Sequence, residues 1–349
     1  MKRINLILAS LILFGLMTGC GGGSGSNVGT SGETQTVAES DAPAGITMTF
    51  EKRDKIKFTL RGSQTVSVDW GDGSPVKEYT LEDPSVYYTF AYDYAKPAAY
   101  TIQITGENIT GFDIEFIGIT NLELNVTTLE NLSCGYNKLT TLDVSKNPAL
   151  KTLSCHSNQL TTLDVSKNPA LKDLWCNNNQ LTTLDVSKNP ALKDLWCNNN
   201  QLTTLDVSKN PVLEELRCGV NQLTSLDVSK KTKLKKLECG ENQLTTLNAS
   251  KNPALEELRC YANQLTSINV SNCEKLEIIV CTDNKLSEEA LNTLLSALCV
   301  AVYEEDPYYM EFYEFKQIYI GGNPGTETCN RTIAEKKGWK VEDFNNHYD

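Results

Sequence analysis

Two tryptophans, Trp175 and Trp196, occupy the same place in two identical stretches of sequence, Leu171 to Pro190 and Leu192 to Pro211. Each has an aspartate two residues before it and an asparagine two residues after it. An aromatic ring among carboxylates and amides suits two kinds of recognition, stacking on the C–H face of a sugar or forming a hot spot in a protein interface. The pattern therefore predicts a binding surface, with the alternative that Trp196 is only the duplicate of Trp175.

The candidate site consists of residues that one shared spacing places around these tryptophans. Asp173 and Asp194 are also the residue type that glycosidases use in pairs. Such pairs differ in environment and face each other across a cleft, whereas these two are expected to be equivalent neighbours on an open sheet. We therefore expect no catalytic residues. The predicted ligand-binding set is Trp175, Trp196, His156, Asp173, Asp194, Asn177, Asn198, Arg217, Arg259 and Tyr261.

The spacing behind this set is a repeat of 21 residues with the pattern Leu-x-x-Leu-x-Cys-x-x-Asn-x-Leu. A strict period of this length predicts a stacked solenoid, because one repeat cannot bury its own apolar residues. The sheet-forming half of each repeat alternates apolar and polar residues, and Asn-Pro in the other half marks a turn. The repeated cysteines are Cys134, Cys155, Cys176, Cys197, Cys218, Cys239, Cys260 and Cys281.

The repeated cysteines are expected to be buried thiols that pack as small apolar residues. Stacked strands lie about 4.8 Å apart, which is too far for the β-carbons of a disulfide. A straight column also cannot supply the converging ligands of a zinc site, so we expect no metal and no cofactor. A second column, formed by the repeated asparagines from Asn137 to Asn284, should satisfy backbone groups where each turn leaves the sheet.

With its leucines, cysteine and asparagine, the repeat resembles the leucine-rich repeat family over about residues 129 to 290, and it is similar to the short-repeat lipoproteins of Bacteroides-type bacteria. The resemblance implies a mainly β fold, a right-handed and curved solenoid with a parallel sheet, which binds through its strand side. Residues 107–290 are assigned to this solenoid and residues 291–349 to an α/β C-terminal cap, with Ser287 capping a helix that starts at Glu288. Cys299 and Cys329 are candidates for a disulfide in the cap.

Residues 45–106 alternate in short strands, which predicts a small immunoglobulin-like β-sandwich. Trp70-Gly71-Asp72-Gly73-Ser74, together with Tyr100-Thr101-Ile102, resembles the polycystic-kidney-disease-type domain of bacterial surface proteins. The histidine-tyrosine pair usual before the last strand of that family is replaced by Phe90-Ala91-Tyr92. Such a domain would act as a spacer and cover the first edge of the solenoid.

The first 19 residues resemble a lipoprotein signal peptide: Lys2 and Arg3 precede an apolar run that ends in Leu16-Met17-Thr18-Gly19-Cys20. In that family Cys20 is the lipidated residue. Alternatives are an ordinary secretory signal or a failed transmembrane helix. Residues 20–44 are rich in glycine and serine, which predicts a flexible tether. The resemblance, together with a glycine at position 21, implies an outer-membrane lipoprotein at the cell surface, with a periplasmic orientation as the alternative.

The formal net charge of −12 argues against nucleic acid as a partner. The sequence thus favours a non-enzymatic envelope lipoprotein, with a membrane anchor at Cys20, that binds a host or bacterial surface protein or a glycan. Two alternatives remain open, a passive spacer or structural envelope component and a polysaccharide-processing enzyme.

Overall fold

The computed structural model describes residues 45–301 and 316–344 of the chain. The predicted signal peptide, the lipidation site at Cys20 and the tether over residues 20–44 lie outside the described residues.

The N-terminal β domain is built of antiparallel strands in which alternate residues are buried. β1 runs beside β4 for most of its length, and β2 lies between β4 and β3. The sequence predicted short strands, whereas β1 has 18 residues, because bulges between Phe50 and Lys55 allow its pairing with β4 to continue. The strands are β1 (Gly45–Gly62), β2 (Gln64–Asp69), β3 (Lys77–Leu81), β4 (Tyr88–Thr105), β5 (Ile109–Asp113) and β6 (Ile119–Asn125).

The solenoid places one three-residue strand per turn in a parallel sheet. A separate pair of parallel strands, β13 and β15, lies on another side of the turns. The strands are β7 (Asn131–Ser133), β8 (Thr152–Ser154), β9 (Asp173–Trp175), β10 (Asp194–Trp196), β11 (Glu215–Arg217), β12 (Lys236–Glu238), β13 (Thr246–Asn248), β14 (Glu257–Arg259), β15 (Ser267–Asn269) and β16 (Ile278–Val280). Elsewhere the turns are extended or bent, as the Asn-Pro pattern predicted.

The β domain and the solenoid share one sheet. β5 pairs antiparallel with β1 on one side and parallel with β7 on the other. Hydrogen bonds therefore connect sixteen strands in a single sheet that runs through both parts. Because β5 belongs to both, no free edge is left between them.

The eight repeated cysteines are fully buried free thiols, as predicted. The backbone N–H of each of these cysteines donates to a carbonyl oxygen of the next turn. Cys155 N, for example, lies 2.8 Å from the carbonyl oxygen of Trp175. Burial raises the pKa of the Cys176 and Cys239 thiols to about 12. The column thus contributes apolar packing and backbone hydrogen bonds, with its thiols held neutral.

The first asparagine column satisfies the backbone where each turn leaves the sheet, also as predicted. Asn158 Nδ2 donates to the carbonyl oxygens of Cys134 and Cys155 at 3.0 and 3.1 Å, and its Oδ1 accepts from Leu139 N at 3.0 Å. Each such side chain therefore joins adjacent turns. This arrangement recurs along the stack and fixes the register in which the turns meet.

The C-terminal cap consists of α1 (Glu288–Ala297), β17 (Gln317–Tyr319), α2 (Thr332–Glu335) and β18 (Lys340–Glu342). Ser287 caps α1 as predicted, its Oγ accepting from Ala290 N at 3.2 Å. The candidate disulfide between Cys299 and Cys329 is not formed: both are free thiols with different partners. Cys299 Sγ lies 3.3 Å from the Glu274 carbonyl oxygen, whereas Cys329 Sγ lies 3.5 Å from that of Thr326.

A second asparagine column, from the Asn-Pro turns, is interrupted at two places, by Lys231 and by Cys273. Asn210 Nδ2 donates to two carbonyl oxygens of the preceding turn, those of Val186 and Asn189, both at 2.9 Å. In the following turn this place is taken by Lys231, whose side chain is 0% exposed. Its Nζ has no hydrogen-bond partner among the described residues, and burial lowers its pKa.

Replacing Lys231 with asparagine should stabilise the protein. The amide would restore donors toward the carbonyls of the preceding turn and remove a buried ammonium without a partner. We expect the Lys231→Asn change to raise the free energy of unfolding by about 1–3 kcal/mol, measured by urea denaturation. Lys230→Asn, at the exposed neighbouring position, is the matched control and should change little. Lower stability in Lys231→Asn than in the parent would contradict the assignment.

Candidate functional site

The predicted site residues lie together on the outer side of the parallel sheet, here called the strand face. Parallel pairing in register aligns Asp173 with Asp194 and Trp175 with Trp196. In each strand the leucine between the aspartate and the tryptophan is buried in the core. Three columns result, because outward residues recur at every second position. They comprise Thr152, Asp173, Asp194, Glu215, Lys236 and Glu257; then Ser154, Trp175, Trp196, Arg217, Glu238 and Arg259; then His156, Asn177, Asn198, Gly219, Gly240 and Tyr261.

The middle column contains a stacked group of Trp175, Trp196 and Arg217. The two indole rings are 5.3 Å apart between centroids and tilted by 32°, and Arg217 Cζ lies 4.2 Å from the centroid of Trp196. Trp196 is the central member, because β10 lies between β9 and β11. One side of its ring therefore faces Trp175 and the other faces Arg217. Both indole nitrogens are buried and have no hydrogen-bond partner among the described residues.

Arg217 is held in this position by a carboxylate. Its Nε lies 2.5 Å from Glu215 Oε1 on the same strand, and Glu238 in the next turn lies 4.0 Å away. Arg259 pairs in the same way with Glu257. Burial raises the pKa of Glu238, while the neighbouring Arg217 and Arg259 oppose that rise. Both predicted arginines are thus part of a network of alternating charges.

Asp173 and Asp194 form a close pair whose members differ in environment. Thr152 Oγ1 donates to Asp173 Oδ2 at 3.0 Å, whereas Asp194 faces Asp173 on one side and Glu215 on the other. Partial burial and these two carboxylates raise the pKa of Asp194 to about 6. The expectation that the two aspartates are equivalent was therefore wrong. They still lie side by side on an open sheet.

The third column is shaped by rings that lie over glycines. A β-carbon on Gly135 would come within 2.5 Å of the His156 ring, and one on Gly240 would come equally close to the Tyr261 ring. His156 Nδ1 also hydrogen-bonds Ser154 Oγ at 2.8 Å. His156 and Tyr261 are thus fixed at opposite ends of the face, with the tryptophan group between them.

Sequence reasoning missed two aromatic residues next to this face. Tyr136 contacts His156 edge to face, with ring centroids 4.8 Å apart, and its other neighbour is Phe116. The signal for Tyr136 was its position directly before Asn137, where the later repeats carry smaller or charged residues. Phe116 lies in a turn whose sequence lacks the cysteine and asparagine of the repeat, so its equivalence to Tyr136 is not visible in the sequence.

Within residues 45–301 and 316–344, no three histidine, cysteine or acidic side chains are grouped so that they could hold a metal ion. The same part of the chain has no helix of the length and hydrophobicity needed to cross a membrane.

The raised pKa of Asp194 predicts a specific pH dependence of stability. Because the folded pKa of about 6 lies above the value of about 4 in an unfolded chain, the folded state binds this proton more tightly. The parent should therefore lose stability as the pH rises from about 4 to about 6, and should not regain it above that range. Asp194→Asn cannot ionise, so its melting temperature should exceed that of the parent at pH 7.5, with a smaller difference at pH 4.5.

Asp164→Asn is the control, because hydrogen bonds from Ser166 lower the pKa of Asp164 and move its titration below this range. A difference between Asp194→Asn and the parent that stays constant across the pH range would contradict the assignment.

Comparison with known proteins identifies the repeat. Residues 169–210 match the family model for leucine-rich repeats. No curated protein matches the chain. The solved functional domain of InlJ from Listeria monocytogenes, which includes a cysteine ladder, is 30% identical with a TM-score of 0.50 over 71% of this chain and 57% of that one. A leucine-rich-repeat protein of Leptospira interrogans is 22% identical, also with a TM-score of 0.50, over 64% of this chain and 62% of that one.

This chain thus spans less than two thirds of the length of either protein. Leucine-rich-repeat folds commonly mediate protein–protein interaction and are typically non-enzymatic scaffolds. The part of the chain that the structure describes is mainly β, with a parallel-sheet solenoid of about ten turns that has the leucine-rich-repeat fold.

Proposed function

We propose that this protein is a non-enzymatic, membrane-anchored envelope protein that binds a protein partner through its strand face. The observation that carries the proposal is the stacked group of Trp175, Trp196 and Arg217 at the middle of that face. Tryptophan and arginine are the residues most enriched in interface hot spots, and hot spots lie at the centre of a patch with a polar rim. Here the rim is formed by Asp173, Asp194 and the glutamate–arginine network.

The same geometry favours a protein over a glycan as the partner at this position. A sugar ring that stacks on an aromatic residue needs a free ring face. Trp196 lies between Trp175 and Arg217, so its faces are already covered. Both tryptophans are nevertheless partly exposed, and a protein partner would contact the surface that they leave open.

Catalysis by the aspartate pair finds little support on this face. Glycosidase carboxylates act from two sides of a bound sugar. Asp173 and Asp194 are instead adjacent, in register, on one sheet. Because burial and the neighbouring carboxylates raise the pKa of Asp194, the pair serves better as a pH-dependent part of the rim.

The double change Trp175→Ser and Trp196→Ser tests the site. Serine already occupies the same column at Ser133 and Ser154, so the fold should tolerate it. Binding of the full chain to a panel of purified extracellular-matrix proteins and to a glycan array is measured by surface plasmon resonance. We expect a protein ligand whose affinity falls by at least about tenfold in the double variant, as loss of a hot-spot residue requires.

Lys188→Ser with Lys209→Ser is the matched control, because both lysines are exposed in the same two turns away from the strand face. Equal binding by the parent and the tryptophan variant would move the site elsewhere on the chain. A glycan lost from that variant would overturn the choice of a protein partner. Absence of any ligand would favour a passive spacer, the alternative role.

The cellular placement is a second part of the proposal. We propose that Cys20 is lipidated and that residues 20–44 tether the folded part to the outer membrane, at the cell surface. The support is the signal-like sequence that ends at Cys20. The β domain, with its resemblance to the polycystic-kidney-disease-type module, would then lie between the membrane and the solenoid as a spacer.

Cys20→Ser should abolish lipid attachment, because acylation of a lipoprotein needs the thiol. Metabolic labelling with a palmitate analogue in the expressing bacterium measures this directly. The expected result is a labelled parent and an unlabelled variant. Cys273→Ser is the control and should be labelled like the parent. If the parent and Cys20→Ser are both unlabelled, the lipoprotein proposal is wrong.

A further inference from the structure

The pairing of β1 leaves a gap beside the start of the solenoid. On one side β1 pairs with β6 as far as Phe50 and with β5 from Thr59 onward. Between these points the connection over residues 114–118 departs from the strand, and a cleft opens there. Residues of β1, residues of β4 and this connection line it.

The cleft carries a basic cluster on a chain whose net charge is −12. Arg53, Lys55 and Lys57 of β1 are all exposed and line it, while the intervening Ile56 is buried. Lys55 lies 3.6 Å from Asp93, in an exposed pair that is worth little. Neither Arg53 nor Lys57 has a carboxylate within ion-pair distance among the described residues. Two cations are therefore available to a ligand.

The carboxylates in this cleft are both engaged. Asp93 pairs with Lys55, and Glu115 Oε1 accepts a hydrogen bond from Ser133 Oγ at 2.6 Å. The cations thus outnumber the acids, and the acids already have partners. An anion entering the cleft would meet a net positive field.

An exposed aromatic ring also lines the cleft. Phe116 is 60% exposed, and one of its faces is covered by Tyr136, with centroids 4.2 Å apart and ring planes 12° apart. Tyr136 is itself 49% exposed and is supported by His156. Since Phe116 lines the cleft while Tyr136 stacks on one side, the ring is held in place with surface left for a ligand.

We propose that this cleft binds an acidic carbohydrate, one that carries a carboxylate or a sulfate. The C–H face of the sugar would pack on Phe116, and the acidic group would be bound by Arg53 and Lys57. One aromatic surface beside a few convergent polar groups is the usual composition of a small-ligand site. This site adjoins the end of the strand face at His156 and contains neither tryptophan.

A carbohydrate fits this cleft better than an acidic peptide. Extended peptides gain affinity by adding a strand to a sheet edge. Here the edge of β1 is occupied by β6 at one end of the gap and by β5 at the other, so a continuous peptide strand cannot run through it. A compact sugar needs only the space between them.

Isothermal titration calorimetry on the full chain tests the proposal with four probes: a galacturonate oligomer, a sulfated galactose oligomer, a neutral galactose oligomer and a hexaglutamate peptide. We expect one acidic oligosaccharide to bind and the neutral one not to bind. Phe116→Asn should weaken binding by at least about tenfold, and Arg53→Gln with Lys57→Gln by a similar factor that falls as salt is added. Comparing the galacturonate oligomer with the sulfated galactose oligomer shows whether the cleft binds a carboxylate or a sulfate.

The variants are chosen so that the fold is kept. Phe116 has a positive φ of 60°, and asparagine already occupies the equivalent left-handed position at Asn178 and Asn199. Lys52→Gln with Lys96→Gln makes the same change of charge outside the cleft and should leave binding unaltered. The Trp175→Ser, Trp196→Ser protein should also bind as the parent does, which separates this test from that of the strand face.

Three results would overturn the proposal. The first is no binding of either acidic oligosaccharide at about 1 mM, the range of the weakest specific sites. The second is an equal loss in the Lys52, Lys96 control, which would indicate general charge attraction. The third is binding of hexaglutamate with the same sensitivity to Phe116→Asn, which would assign the cleft to acidic peptides.

Discussion

Every other feature of this protein depends on turns that stack in register at an interval of 21 residues. The backbone of each turn in the cysteine column is hydrogen-bonded to its neighbour, and the amide of Asn158 or an equivalent residue joins turns where the strand ends. Buried polar groups that lose these bonds have no water to replace them. The spacing is therefore fixed by an energetic requirement, and outward residues can change without disturbing it.

This separation between buried residues, which fix the spacing, and outward residues, which can vary, explains how the strand face is assembled. The strand leucine and the cysteine of each repeat are fully buried, while the residues around them form columns across neighbouring turns. Residues 21 apart in sequence become neighbours in space, so Trp175, Trp196 and Arg217 stack although nothing in their local sequence requires contact. The same stacking partly buries Asp194 and places it between Asp173 and Glu215, and together these effects raise its pKa.

How far the sequence predicts this structure depends on whether a feature repeats. The buried cysteines, the bonding of the first asparagine column and the outward position of Trp175 all follow from periodicity, and the structure has each of them. Lys231 was concealed because a lysine in a lysine-rich stretch looks exposed, and only its place in the stack reveals burial. The shared sheet and the cleft at Phe116 depend on which strand pairs with β5, a long-range choice that local alternation does not encode.

The identity of Leu171 to Pro190 with Leu192 to Pro211 has a consequence for how such a chain changes over generations. Because contacts between turns join residues of adjacent repeats, a gene segment copied or deleted by unequal recombination keeps like partners together. The protein can thus gain or lose a whole turn in one event, without a passage through unfolded intermediates. A further copy of the tryptophan-bearing repeat would also lengthen the aromatic column by one indole, so the length of this binding surface can change between generations by whole repeats.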